Sequence, residues 1–116
     1  MNDKPHLDVE ALAELQDVME DEFDVLIQTY LADSRSRIDG LKEALATADP
    51  EHFAKTAHSF KGSCINIGAP RLGGLCFEAE QLGKDATLEQ APAVLERIEA
   101  EFSEVARRLQ NFGQEA

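Results

Sequence analysis

The sequence predicts an all-α fold, an antiparallel up-down four-helix bundle with a short additional N-terminal helix, on three observations. Ala, Leu, Glu and Gln are frequent while Pro occurs four times and Trp never, a set of strong helix formers with few breakers. Apolar residues recur at helical spacing through four long stretches, and no stretch alternates apolar and polar residues as a half-buried strand does. The breakers fall between those stretches, so short connections join neighbouring helices and make them antiparallel.

Taken in order, Asp8 caps a short helix running through Leu15. A long helix spans about Glu20 to Thr47, with Phe23, Leu26, Ile27, Tyr30, Leu31, Ile38, Leu41 and Leu45 on its stripe and Gly40 as its weak point. The acidic run from Asp17 to Glu22 reads as a solvated helix start rather than a metal site, because carboxylates favour a helix N-terminus. Asp49 and Pro50 supply the N-cap and first position of the next helix, and Gly68-Ala69-Pro70 stops it. Pro70 opens a fourth helix that ends around Gly83. The last begins near Ala91-Pro92 and runs to about Phe112, with Val94, Leu95, Ile98, Phe102, Val105 and Leu109 facing inward. Residues 1–116 read as one domain without internal repeats, with 1–7 and 113–116 expected to be flexible ends.

Charge and hydropathy exclude several function classes. A formal net charge of -12 disfavours nucleic acid, whose phosphates need a basic surface to displace counterions. No apolar run approaches the ~20 residues that span a bilayer, and the start of the chain lacks the apolar segment of a signal peptide, so a cytoplasmic protein without a membrane partner is expected. Cys64 and Cys76 are then reduced thiols. Four apolar stripes suffice to close one core, and the net charge opposes association of like surfaces, so a monomer is expected.

The third long helix contains A-H-S-F-K-G-S-C-I-N-I-G-A, residues 57–69, with Gly62 in its interior, where glycine costs about 1 kcal/mol relative to alanine. At about 100° per residue, Phe53, Ala57, Phe60, Cys64 and Ile67 form the core stripe, whereas His58 falls on an outward face with Glu51, Ala54, Gly62 and Ile65. The residues one turn either side of His58, Ala54 and Gly62, are both small, and Lys55 and Lys61 straddle the ring at the -3 and +3 positions. A presented imidazole with cleared flanks and two cations suits a phosphoryl group. Its neutral ring nitrogen is a competent nucleophile near neutral pH, the lysines can neutralise the dianion, and Gly62 leaves room for a second protein.

These residues resemble the histidine phosphotransfer (HPt) family, whose signature runs His-x-(apolar)-Lys-Gly-(Ser/Ala)-(small)-x-x-(apolar)-Gly-Ala. His58, Phe60, Lys61, Gly62, Ser63, Cys64, Ile67, Gly68 and Ala69 supply it without a gap, and the likeness continues through Leu72, Leu75, Cys76 and Leu82-Gly83. The resemblance implies a stand-alone bundle that carries phosphoryl groups between receiver domains of hybrid sensor kinases and response regulators on phospho-His58. It implies no ATP-dependent kinase activity and no cofactor of the chain's own, the Mg²⁺ and the aspartate belonging to the partner receiver. In that family a polar side chain on the next helix often holds the other ring nitrogen. Folding the hairpin about Ala69 brings either Glu80 or Gln81 opposite His58, and Glu80 would be a departure from the family's usual glutamine.

Competing readings are weaker. His52, His58 and Cys64 stand six residues apart, so no two of them share a helix face as metal ligands at i, i+3 or i+4 do. Cys64 and Cys76 lie symmetrically about Pro70 and are explained by core packing. There is no Gly-rich phosphate loop, no G-x-S-x-G elbow and no second polar cluster for acid-base chemistry. A passive helical interaction module without phosphate chemistry is the alternative that the residues leave open.

Overall fold

The computed structural model describes residues 4–114. Helix α1 spans Val9–Met19, α2 Phe23–Ala46, α3 Pro50–Ile67, α4 Pro70–Lys84 and α5 Ala91–Gln114, with short 3₁₀ turns at Glu20–Glu22 and Leu88–Gln90. Helices α2 to α5 each pack on the next, and α5 closes the ring on α2, which gives the four-helix bundle; α1 lies against α2. The start of α1 is tied to the α3–α4 turn by a 2.8 Å bond from the Asp8 N–H to the Gly68 carbonyl.

The expected helix signals act where the spacing put them. Asp8 and Asp49 cap α1 and α3 by accepting from the Ala11 and His52 N–H groups, and Pro50 and Pro70 occupy first-turn positions. Gly68 ends α3 in the left-handed conformation, φ 86°, at a C-cap that glycine occupies without strain. Helix α2 passes through Gly40 unbroken, and a Cβ added there would meet the Thr56 methyl of α3 at 3.4 Å. Boundaries moved by a few residues: α1 continues to Met19, and α2 begins only after a 3₁₀ turn at Glu20, whose φ of 50° breaks the helical run.

The predicted stripes form one core. Phe53, Phe60, Leu12, Ile27, Leu31, Leu41, Leu72, Ile98, Val105 and Leu109 are fully buried, and each such aliphatic or aromatic side chain contributes about 1.5–3 kcal/mol by leaving water. Cys64 and Cys76 are buried free thiols. The Tyr30 hydroxyl lies 3.2 Å from the Cys64 sulfur. Burial and the adjoining Cys64 push the Tyr30 hydroxyl well above its ordinary range, while the hydrogen bond with Cys64, followed by burial, pushes the Cys76 thiol up. Both groups therefore stay protonated and act as core.

Residues 1–7 are expected to form a flexible end; of these, Leu7 lies in the core, His6 lies 2.6 Å from Glu101, and Arg71 donates to the carbonyls of Lys4 and Pro5. At the other end α5 extends through Gln114, beyond the expected stop at Phe112. The remainder of both terminal expectations lies outside the described residues. No described helix is long and apolar enough to cross a membrane.

Candidate functional site around His58

His58 projects from the middle of α3, and its side chain is 67% exposed. Its stripe neighbours Ala57 and Phe60 are buried, so the register of the apolar stripe turns His58 outward. Across the groove stands Glu80 of α4, whose side chain is only 4% exposed. Glu80 Oε2 lies 2.9 Å from His58 Nδ1, and Oε1 accepts from Lys61 Nζ at 2.8 Å. Lys84, one turn further along α4, reaches Oε2 at 3.2 Å.

Burial opposes ionisation of Glu80. Hydrogen bonds from Lys61, Lys84 and His58, together with the Lys61 charge, outweigh it and hold the carboxyl down at about 2. Glu80 is thus a carboxylate at any physiological pH and can only accept, so Nδ1 of the neutral ring carries the proton. The lone pair is then on Nε2, which meets no hydrogen-bond partner among the described residues. A neutral imidazole held in this tautomer can act as a nucleophile through Nε2.

Of the two ring-orienting candidates, Glu80 lies within hydrogen-bond distance of His58 Nδ1, whereas Gln81 is half-buried and has no part in the His58 contact. Lys61 lies inside the cluster as expected. Lys55 does not: its ammonium pairs with Glu51 at 3.2 Å on the exposed side of α3, since that i-4 carboxylate is its nearest anion. Ile65 is exposed on the His58 face.

The two small flanking residues have different reasons. A Cβ built on Gly62 meets nothing within 4 Å, so the helix surface beyond His58 is open space. Ala54 was expected on that outward face as well, but it is buried. A Cβ on Gly83 would fall 2.8 Å from the Ala54 Cβ, the Ala54 nitrogen and the Pro50 carbonyl. At the Ala54–Gly83 pair α3 and α4 therefore approach too closely to admit a side chain on residue 83.

Two members of the site were missed in the sequence. Lys84 was signalled by the i, i+4 spacing from Glu80. Phe77 is exposed, and Lys61 Nζ sits 5.3 Å from its ring centroid, a cation–π contact that steadies the ammonium. Among the described residues no group of three or more His, Cys, Asp or Glu is placed to hold a metal ion.

Comparison with known proteins agrees with this geometry. Residues 25–108 match the Hpt domain family. Among solved structures, the histidine-containing phosphotransfer protein B (HptB) of Pseudomonas aeruginosa superposes with a TM-score of 0.92 at 43% sequence identity, over 97% of each chain. No curated protein matches the chain.

Proposed function

The chain belongs to the Hpt domain family, and from that premise we propose that it shuttles a phosphoryl group between receiver-domain aspartates of a hybrid sensor kinase and a response regulator through phospho-His58. The observation that carries the reading is the exposed His58 ring, its Nδ1 2.9 Å from the buried Glu80 carboxylate and its flank open at Gly62.

In the transfer step the Nε2 lone pair attacks the phosphorus of an aspartyl phosphate. The N–P bond forms, the P–O bond breaks, and the electron pair leaves with the partner's carboxylate. No proton needs to move, since Nδ1 keeps its own. Lys61, already beside the ring, neutralises developing charge on the phosphoryl oxygens, and Lys55 adds attraction from the other side of α3. Mg²⁺ and the aspartate come with the receiver, and the chain acts as a phosphocarrier without ATP chemistry. The exposed Ile65 and Phe77 on the His58 side supply apolar anchors for the receiver, and Gly62 keeps that surface low. The same protein is expected to be a monomer, since the core closes within one chain.

Incubation with phosphorylated receiver domains tests this. Acid-labile, base-stable label should appear on His58, and its absence with every competent donor would favour a passive interaction module.

A further inference from the structure

Fixing a histidine tautomer needs one acceptor, yet the Glu80 carboxylate gathers three donors. Oε1 is occupied by Lys61, whose ammonium is largely shielded, whereas Oε2 is shared between His58 Nδ1 and Lys84. Lys84 is the looser of the two cations: its contact is the longer, 3.2 against 2.8 Å, and its side chain is 58% exposed. Two ammonium groups against one carboxylate leave the cluster one positive charge in excess while the ring is neutral.

Resting on His58 as the acceptor, we propose that Lys84 is a second phosphoryl-binding cation, parked on Glu80 before transfer and released onto the phosphoryl oxygens by it. When Nε2 bonds phosphorus while Nδ1 keeps its proton, the ring acquires a formal positive charge. That charge appears 2.9 Å from the oxygen that Lys84 occupies. It satisfies Oε2 by itself and repels the ammonium, while a dianion has formed on the far side of the same ring. Glu80 remains paired with Lys61 and Nδ1–H, so the buried carboxylate is never left without partners when Lys84 moves. An exposed lysine stem swings at little energetic cost. Glutamine at position 80 would orient the ring, but its neutral amide would neither park two cations nor exchange one, which gives the carboxylate here a physical purpose.

The test uses the full chain phosphorylated by phosphoramidate, with ³¹P NMR as the readout. Replacing Lys84 with Ala should raise the second pKa of the phosphohistidine phosphoryl group by about 0.5 unit and shorten its lifetime about three-fold, the scale of an exposed ion pair. Lys84→Arg should restore both. Lys42→Ala, which removes an equal charge paired with Glu99 of α5, should change neither. A labelled wild type whose titration and lifetime are reproduced by Lys84→Ala overturns the exchange alone and leaves His58 as acceptor. A wild type that takes no phosphate on His58 while still folded overturns the phosphotransfer reading and the exchange with it.

Discussion

Among the described residues the same pair occurs twice. At His58 and Glu80 a carboxylate buried on one helix meets a histidine at 2.9 Å; at His6 and Glu101 the same two groups meet at 2.6 Å. The first pair bridges α3 and α4, and its ring is 67% exposed, with two lysines on the carboxylate and open space over Gly62. The second pins the N-terminal segment to α5, and its ring is 26% exposed under a segment whose carbonyls Arg71 holds in place. A histidine–carboxylate contact alone therefore does not make a reactive site. Cations stand near both pairs, since Arg71 and Arg97 line the pocket that holds His6 and Glu101, so the difference lies in the exposure of the ring and in the open flank at Gly62.

Exchanging one histidine at a time breaks the comparison most sharply. His58→Gln should abolish phosphate acceptance from a phosphorylated receiver while circular dichroism and melting temperature stay close to wild type, because the ring lies outside the core. His6→Gln should do the converse: acceptance is retained, and stability falls by about 1–2 kcal/mol, since Glu101 loses a close partner while it stays buried. Label retained by the first variant, or acceptance lost in the second, would erase the distinction drawn between the pairs.

A second difference concerns what holds each carboxylate. Gly83→Ala should destabilise the fold by about 2 kcal/mol, because its Cβ would strike backbone and Cβ atoms of α3 at 2.8 Å and the helices would have to part. That displacement should also loosen the His58–Glu80 contact, so acceptance should fall as well. Denaturant melts compared with labelling rates check both, and a stable, fully active Gly83→Ala would mean that the close α3–α4 crossing does not position the site.

Much of this was legible in the sequence, for identifiable reasons. Core stripes, caps and the Gly68-Ala69-Pro70 stop follow from local periodicity and backbone chemistry, which do not depend on what else packs nearby. His58, Lys61 and Gly62 lie within one turn of each other and were equally accessible. Ala54 was misread because a small residue on a helix surface looks the same whether it clears an approach or admits another helix, and only Gly83 across the groove separates the two. Lys84 was overlooked because its contact is with Glu80, and the sequence left Glu80 and Gln81 as equal candidates for the place opposite His58. His6 looked like tail because nothing local shows that Glu101, far along the chain, turns inward.

Acid sharpens the comparison less drastically. The folded Glu80 pKa lies below the ordinary value of 4.5, at about 2. Its pairing therefore contributes stability that is complete above pH ~4.5 and is lost as pH falls toward ~2. With the discount appropriate to the water around Lys84 and His58, that contribution is on the order of 1–2 kcal/mol. Glu80→Gln should therefore flatten the stability profile across this window. A profile unchanged from wild type would show that the three donors do not hold the carboxyl ionised.

The smallest effect is the most specific. Gly62 and Gly83 are both helical glycines near His58, and their surroundings predict opposite signs for the same substitution. Around Gly83 an added methyl collides with α3; around Gly62 it meets nothing within 4 Å. Gly62→Ala should thus stabilise the protein by up to about 1 kcal/mol, through the extra backbone entropy that glycine gives up on folding. Gly62→Gln should keep most of that gain but slow labelling by a phosphorylated receiver about ten-fold, because the side chain stands one turn from His58 on the docking face. Labelling by phosphoramidate, a molecule that needs far less room, should change less than two-fold. Equal losses with both donors would mean that the longer side chain disturbs the imidazole rather than the dock. A Gly62→Ala protein less stable than wild type would mean that the open space over His58 is filled in solution, and the explanation of why this helix tolerates a glycine at its centre would fail.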